Sequence, residues 1–415
     1  MTSNFATRIL ERCEALARCS EQADGLTRVF LSAEQRQAND LVLGWMREAG
    51  MAARLDALGN CIGRYEAATP GQPCLMLGSH LDTVRDAGQY DGMLGVIAAI
   101  ECVADLNARG VRLPFAIEVM GFSDEEGVRF NATLLGSRAV AGTFKPESLD
   151  AVDASGVTMR EALKHFGLDP AKIGEAARRR DELLAYVELH IEQGPVLEAE
   201  GLPVGVVTAI NGATRLAIEV DGFAGHAGTV PMDLRQDALA AAAECVLAVE
   251  RRARRGHDDG RSLVGTVGKL ECLPGAVNVV PGKVRFTVDV RAPVDADRVA
   301  AVEDALAEFA AIAARRNVAI ATRKTHEGKV AACAPWLMDQ IGAAIAAEGI
   351  AVRRLPSGAG HDGMAMIDLT DIGMLFLRCE RGISHNPAEA VTAADVETGA
   401  RVLLRFIEHF NPSRT

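Results

Sequence analysis

Two apolar runs, "CLMLGSHLD" from Cys74 and "FAIEVMGFSDEEG" from Phe115, most restrict what this chain can become. Neither shows a helical or an alternating period, and each ends in ionisable residues. A strand covered on both faces reads this way, whereas a half-exposed strand alternates. Between the two runs, Gly92–Arg109 is rich in Ala, Ile and Val and predicts a long helix. Residues 33–50 have helical spacing, 53–65 read as strands around a Gly-Asn turn, and "DIGMLFLRC" is a further buried strand. Buried strands feeding helices predict an α/β sheet, and such sheets carry function at the carboxyl ends of their strands.

A second pattern interrupts the first. From about Ala213, "TRLAIEVDGF" alternates as a strand and Leu234–Arg255 reads as a helix. "SLVGTVGKLEC" and "KVRFTVDVRAP" are strands, Asp295–Arg316 is a helix, and "VAIATRKTH" is a last strand. Strand-helix-strand-strand-helix-strand is the order of a small split βαβ sandwich, ferredoxin-like in type. The expectation is an α/β domain formed by 1–212 and 327–415, with an α+β domain inserted at 213–326. Hinges are expected near Gly212 and Lys324–Gly328.

Composition removes several function classes. The net charge is −12 and the isoelectric point is near 5.3, so neither nucleic acid nor an anionic membrane is an expected partner. The nine cysteines are odd in number and irregularly spaced, with no Cys-x-x-Cys. That pattern suits a reduced cytoplasm and argues against both a disulfide framework and a thiolate zinc site. The first twenty residues have a helical apolar period with charges throughout, unlike a secretory signal, and no apolar run is long enough to span a bilayer. A soluble, cytoplasmic protein is expected.

The polar ends of the apolar runs hold the candidate chemistry. His80 closes one strand, and Asp82 is placed to orient it, as carboxylates do for metal-bound histidines. Asp91 stands directly before the long helix, where it can cap the helix and also bridge cations. Glu125 and Glu126 are adjacent and face different directions, so one can ligate a metal while the other holds a water as general base. His385 follows the late strand in a loop. In "YVELHIEQGP", strand alternation puts Glu188, His190 and Glu192 on one face. Imidazole and carboxylate donors without thiolates suit zinc, manganese or related divalent ions. Two cations sharing one carboxylate would take His80, Glu126, His385 and one further ligand.

"GSHLDTV", "YDGMLGV", "FSDEEGVRF", "ELHIEQGPVLE", "GFAGHAGTVPM", "AVNVVPG", "SGAGHDGMAM" and "GISHNPAE" occur in this order. Together they resemble the hydantoinase/carbamoylase amidase branch of the dinuclear-metal aminoacylase/carboxypeptidase superfamily, over residues from about 5 to 410. The resemblance implies two divalent ions per subunit, zinc or manganese, with cobalt or nickel as further options. It implies His80, Asp91, Glu126, His190 and His385 as ligands, Asp91 bridging, with His80 and His190 on one ion and Glu126 and His385 on the other. Glu125 matches the base, and the Asp91–Gly92 peptide is expected to be cis. The inserted domain would act as lid and dimerisation domain, its His226 stabilising an oxyanion in the partner's site of a homodimer. Gln193, Asn278, Arg291 and Gly360 match substrate contacts.

The substrate implied is a small ureido acid, allantoate or an N-carbamoyl-L-amino acid, cleaved at a C–N bond with release of ammonia and carbon dioxide. N-carbamoyl-β-alanine hydrolysis, or peptidase or deacylase activity on the same scaffold, is the alternative. His190 favours the ureido reading, because peptidase relatives commonly carry a carboxylate there. Many relatives carry Gln-Arg where this chain has Ala213–Thr214, followed by Arg215.

Overall fold

The computed structural model describes residues 4–413. The strands along the chain are β1 (Ala52–Leu55), β2 (Cys61–Tyr65), β3 (Cys74–His80), β4 (Ala116–Phe122), β5 (Leu183–Ile191) and β6 (Val204–Ile210). They continue with β7 (Gly212–Asp221), β8 (Leu270–Leu273), β9 (Lys283–Ala292), β10 (Ala319–Gly328), β11 (Arg354–Ser357) and β12 (Ile372–Leu377). Shorter pairings are named by residue where they matter. The principal helices are α1 (Phe5–Ala17), α2 (Ala33–Glu48), α3 (Met93–Ala108), α4 (Ala238–Asp258), α5 (Asp295–Arg316), α6 (Pro335–Ala347) and α7 (Ala393–His409).

The chain divides into two compact units. The first is Met1–Thr208, Cys333–Leu355 and Ala359–Thr415; the second is Ala209–Ala332 with Pro356–Gly358. The second unit is therefore a few residues wider at each end than the 213–326 read from the sequence, because Ala209–Ile210 pairs with Ala331–Ala332.

In the first unit the strand order is β1-β2-β4-β3-β5-β12-β6. The four central strands, β4, β3, β5 and β12, run parallel. Every residue of β3, β4 and β12 is buried, which is why their sequences show no alternation. Helix α3 packs on β3 and β5 and is itself almost wholly buried. Because the central strands are parallel, His80, the residues after Phe122, His190 and the loop after Leu377 share one edge of the sheet.

In the second unit the antiparallel sheet has the order β8-β9-β7-β10, the ferredoxin-like arrangement. Leu216, Ile218 and Val220 of β7 and Val284, Phe286, Val288 and Val290 of β9 face α4 and α5 and form a separate core. The alternation visible in the sequence is this one-sided burial. Helix α4 starts at Ala238 rather than Leu234, because Asp237 accepts the N–H groups of Leu239 and Ala240 and so sets the boundary. Lys324–Gly328, read as a hinge, lies within β10: Glu327 pairs with Thr214 and Gly328 with Ala213, after an irregularity between Lys324 and His326. A hydrogen-bonded ladder, interrupted by that one irregularity, occupies the expected flexible point.

All nine cysteines are free, and among the described residues no helix is long and apolar enough to cross a membrane.

Candidate active site

The parallel edge gathers the ionisable residues around Asp91. Its Oδ1 lies 3.2 Å from His190 Nε2 and 3.4 Å from His80 Nε2. Its Oδ2 lies 3.2 Å from His385 Nε2, and that same nitrogen is 3.3 Å from Glu126 Oε1. One carboxylate oxygen thus faces two imidazoles, and the other faces an imidazole beside a second carboxylate. Two donor triads share Asp91: His80–Asp91–His190 and Asp91–Glu126–His385.

The far ring nitrogens fix the orientation of two of these histidines. His80 Nδ1 is 3.0 Å from the Asp82 carbonyl and His190 Nδ1 is 2.8 Å from the Ile191 carbonyl. A carbonyl can only accept, so each Nδ1 carries a proton and each Nε2 is turned toward Asp91. Asp82 therefore orients His80 through its backbone oxygen. Its carboxylate stands 3.5 Å from the same Nδ1 through Oδ1 and also accepts the N–H groups of Glu125 (2.9 Å) and Glu126 (3.1 Å), fixing the turn that carries both glutamates.

The charges in this cluster act on one another. Burial acts against the charged form of Asp91, but His190, His385 and His80 outweigh it and hold its pKa well below the usual carboxylate value. Burial likewise opposes protonation of His80 and His190; Asp82 and Asp91 raise the first well above the imidazole norm, and Asp91 raises the second. Asp91 and Glu126 push His385 up to about 10. A nest of anions that draws protons onto its histidines is the electrostatic counterpart of a cation site. The donor types and the split of Asp91 between two triads fit divalent ions.

Glu125 sits in a third donor group with His80 and Glu126. Burial drives its pKa well above the carboxylate norm, with His80 partly opposing and Glu126 and Asp362 adding to the rise. Gly360 packs beside it, since a Cβ there would lie 3.5 Å from Glu125 Oε1.

Other expected residues fall in two places. Gln193 joins the Asp91 cluster, donating from Nε2 to Asp91 Oδ2 at 2.8 Å and to Ser384 Oγ at 3.2 Å. Its φ is +56° and that of His385 is +54°, left-handed conformations that cost energy for residues bearing a side chain and gather at functional sites. His226, Asn278 and Arg291 belong to the second unit. His226 pairs with Val279 in a two-residue ladder next to Asn278. Its Nδ1 accepts the Gly228 N–H at 3.0 Å, so its exposed ring presents Nε2–H as a donor. Arg291 forms a bidentate pair with Asp289 (2.9 and 3.0 Å), and it also donates to the Gly358 carbonyl at 2.8 Å. Arg215 shares that Asp289 at 2.9 Å, while Thr214 faces the opposite side and is buried against Arg298.

The Asp91–Gly92 peptide is trans, against expectation; among the described residues the cis bond is Leu273–Pro274. Gly92 makes the turn with a φ of +70°, and its N–H donates to His190 Nε2 at 3.2 Å. A Cβ on Gly92 would lie 2.4 Å from the His80 ring, so no larger residue fits.

Sequence reading missed the layer behind the cluster. Glu389 accepts the N–H groups of Tyr90 and Asp91, and Ser384 lies between Glu389 and Asp91. His361 meets the His190 ring edge-on at 4.4 Å. Glu188 accepts hydroxyls from Ser79 (2.8 Å) and Tyr186 (3.0 Å), and Glu192 caps the turn at Val196–Leu197. Neither of those two glutamates faces Asp91.

The model of Peptidase family M20/M25/M40 matches residues 76–409. The chain belongs to this family. An N-carbamoyl-L-amino acid amidohydrolase of Geobacillus stearothermophilus is 43% identical over 402 residues, covering 95% of this chain and 96% of that protein. An allantoate deiminase of Arabidopsis thaliana is 40% identical over 424 residues, covering 96% and 81%. Among solved structures, a hydantoinase/carbamoylase family amidase from Burkholderia multivorans matches with a TM-score of 0.91, at 33% identity and 97% of each chain. Membership explains the M20 scaffold, and the identities place the chain beside family members named for carbamoyl and allantoate substrates.

Proposed function

We propose that this M20-family chain is a metal-dependent amidohydrolase that cleaves the ureido C–N bond of allantoate or an N-carbamoyl-L-amino acid, giving ammonia and carbon dioxide. The observation that carries the reading is Asp91 shared between the two triads, with the imidazole of His190, not a carboxylate, in the first. An imidazole in that position leaves a less negative cavity than a carboxylate would, which favours an anionic, carbamoylated acid over a peptide. The names of the full-length relatives support the same choice.

Two divalent ions, zinc or manganese, would be held by His80, Asp91 and His190 and by Asp91, Glu126 and His385. Bound there, such ions supply positive charge that polarises a carbonyl and acidifies a water. The chain's own residues do the rest. Glu125, raised in pKa by burial, takes the proton of the attacking water and passes it to the departing nitrogen. Asp82 holds Glu125 and Glu126 at their stations through the two backbone bonds. His226 donates Nε2–H to the oxyanion of the partner subunit's reaction. Arg291 exchanges Asp289 for the substrate carboxylate, with Asn278, Gln193 and Gly360 as further contacts.

An ammonia-release assay tests the reading, using metal-stripped protein reloaded separately with zinc, manganese and cobalt. The substrates are allantoate, several N-carbamoyl-amino acids including N-carbamoyl-β-alanine, and a dipeptide. Release from allantoate or an N-carbamoyl-L-amino acid is expected. Dipeptide cleavage without ureido turnover would refute it.

A further inference from the structure

Asp91 is the pivot of the cluster, and what holds it lies one layer back. Glu389 Oε1 accepts the N–H of Tyr90 at 2.8 Å and of Asp91 at 3.1 Å, across about three hundred residues of chain. Glu389 Oε2 is 2.9 Å from Ser384 Oγ, and Ser384 Oγ is 2.8 Å from Asp91 Oδ2. One carboxylate therefore clamps Asp91 twice: by its backbone directly, and by its side chain through Ser384. Gln193 completes the set by donating to both Asp91 Oδ2 and Ser384 Oγ. Ser384 immediately precedes His385, so the same clamp ties the His385 loop to the turn before α3.

The room for Glu389 is built in. It is only 5% exposed, and it lies against buried Gly88, where a Cβ would fall 2.2 Å from its carboxyl carbon. Any side chain at position 88 would displace the clamp.

We propose that Glu389 is a positioning residue, with Ser384 as its relay, that fixes the direction of Asp91 and thereby sets how tightly the two triads hold metal. Outer partners of metal ligands commonly contribute about 10–100-fold in affinity. The inference rests on the proposed metal site. Glutamine at 389 keeps the essential geometry, because its oxygen accepts both N–H groups and its amide donates to Ser384 Oγ once the single Ser384 hydroxyl proton is given to Asp91 Oδ2. Alanine keeps none of it.

The test measures metal affinity by competition with a chromophoric chelator, together with the visible absorption spectrum of the cobalt(II)-loaded protein. Wild type, Glu389→Gln, Glu389→Ala and Gly88→Ala are compared, each first checked for native circular dichroism and thermal unfolding. Glu389→Ala is expected to lose about tenfold or more in affinity and to change the cobalt spectrum. Gly88→Ala should move the same way although no polar group has been removed, and Glu389→Gln should stay within about threefold of wild type. Wild-type affinity and spectrum in a folded Glu389→Ala would overturn the proposal, as would a Glu389→Gln as impaired as alanine. If wild type itself binds no divalent ion, the metal site fails and the clamp with it. If wild type binds and all variants match it, only the clamp fails.

Discussion

At the scale of single residues, two adjacent glutamates do different work because of what surrounds them. Glu126 faces His385, whereas Glu125 lies near His80 and Gly360 with its pKa driven up by burial. Glu125→Gln is accordingly expected to lower kcat by about 10²–10⁴-fold while leaving bound metal, counted by elemental analysis, at the wild-type level. Full activity in that variant would remove Glu125 from the role of base. His80 and the glutamate pair were legible in the sequence because each lies at or just beyond the end of a largely apolar strand. Ser384 and Glu389 were not. Their contacts to Asp91 span almost three hundred residues, and no local spacing announces a bond that only the folded sheet closes. Gln193 was legible as part of the site, yet its amide is engaged with Asp91 and Ser384, a partnership that no one-dimensional reading contains.

At the scale of elements, the distance between α3 and β5 decides whether Asp91 meets His190. Gly95 lies in the first turn of α3, and a Cβ there would fall 2.0 Å from the Leu189 carbonyl oxygen of β5. Gly95→Ala must therefore push the helix off the sheet and carry Asp91 with it. It should cost about 1–3 kcal/mol in denaturant unfolding, the usual penalty for overpacking. Catalytic efficiency should fall much further than the same loss of stability produces elsewhere in the core. A comparison variant is Ile100→Val, which trims a buried α3 side chain and should cost about 0.5–1.5 kcal/mol with activity kept. Equal activity in the two variants would show that helix placement is not critical. The buried strands and the alternating strands of the second unit were legible because burial on two faces or on one leaves a direct imprint on the apolar pattern. Residues 133–182 were not. Their short helices pack Leu135, Met159, Leu163 and Phe166 against Phe30, Leu58 and Phe130, a small core assembled from distant segments with no period of its own.

At the scale of the whole molecule, the two units have separate cores, and among the described residues the candidate metal groups all lie in the first. A ligand that binds only the folded form stabilises what it binds, by about 2.7 kcal/mol at a concentration one hundred times its dissociation constant. Calorimetry with and without chelator should therefore shift the unfolding of the first unit and leave that of the second in place. Equal shifts of both would mean that the units unfold as one. The second unit's contribution to chemistry can be tested by mixing inactive chains. Glu125→Gln lacks the proposed base but keeps His226; His226→Ala lacks the proposed donor but keeps Glu125. If His226 serves the partner subunit, a mixed dimer has one site with both residues intact, made of Glu125 from one chain and His226 from the other. Random reassortment makes half the dimers mixed with one of two sites restored, so about a quarter of wild-type activity should return. If His226 serves its own chain, every site lacks one residue and mixing restores nothing. Unrestored activity in a preparation shown by mass spectrometry to contain mixed dimers would place His226 outside the partner's reaction.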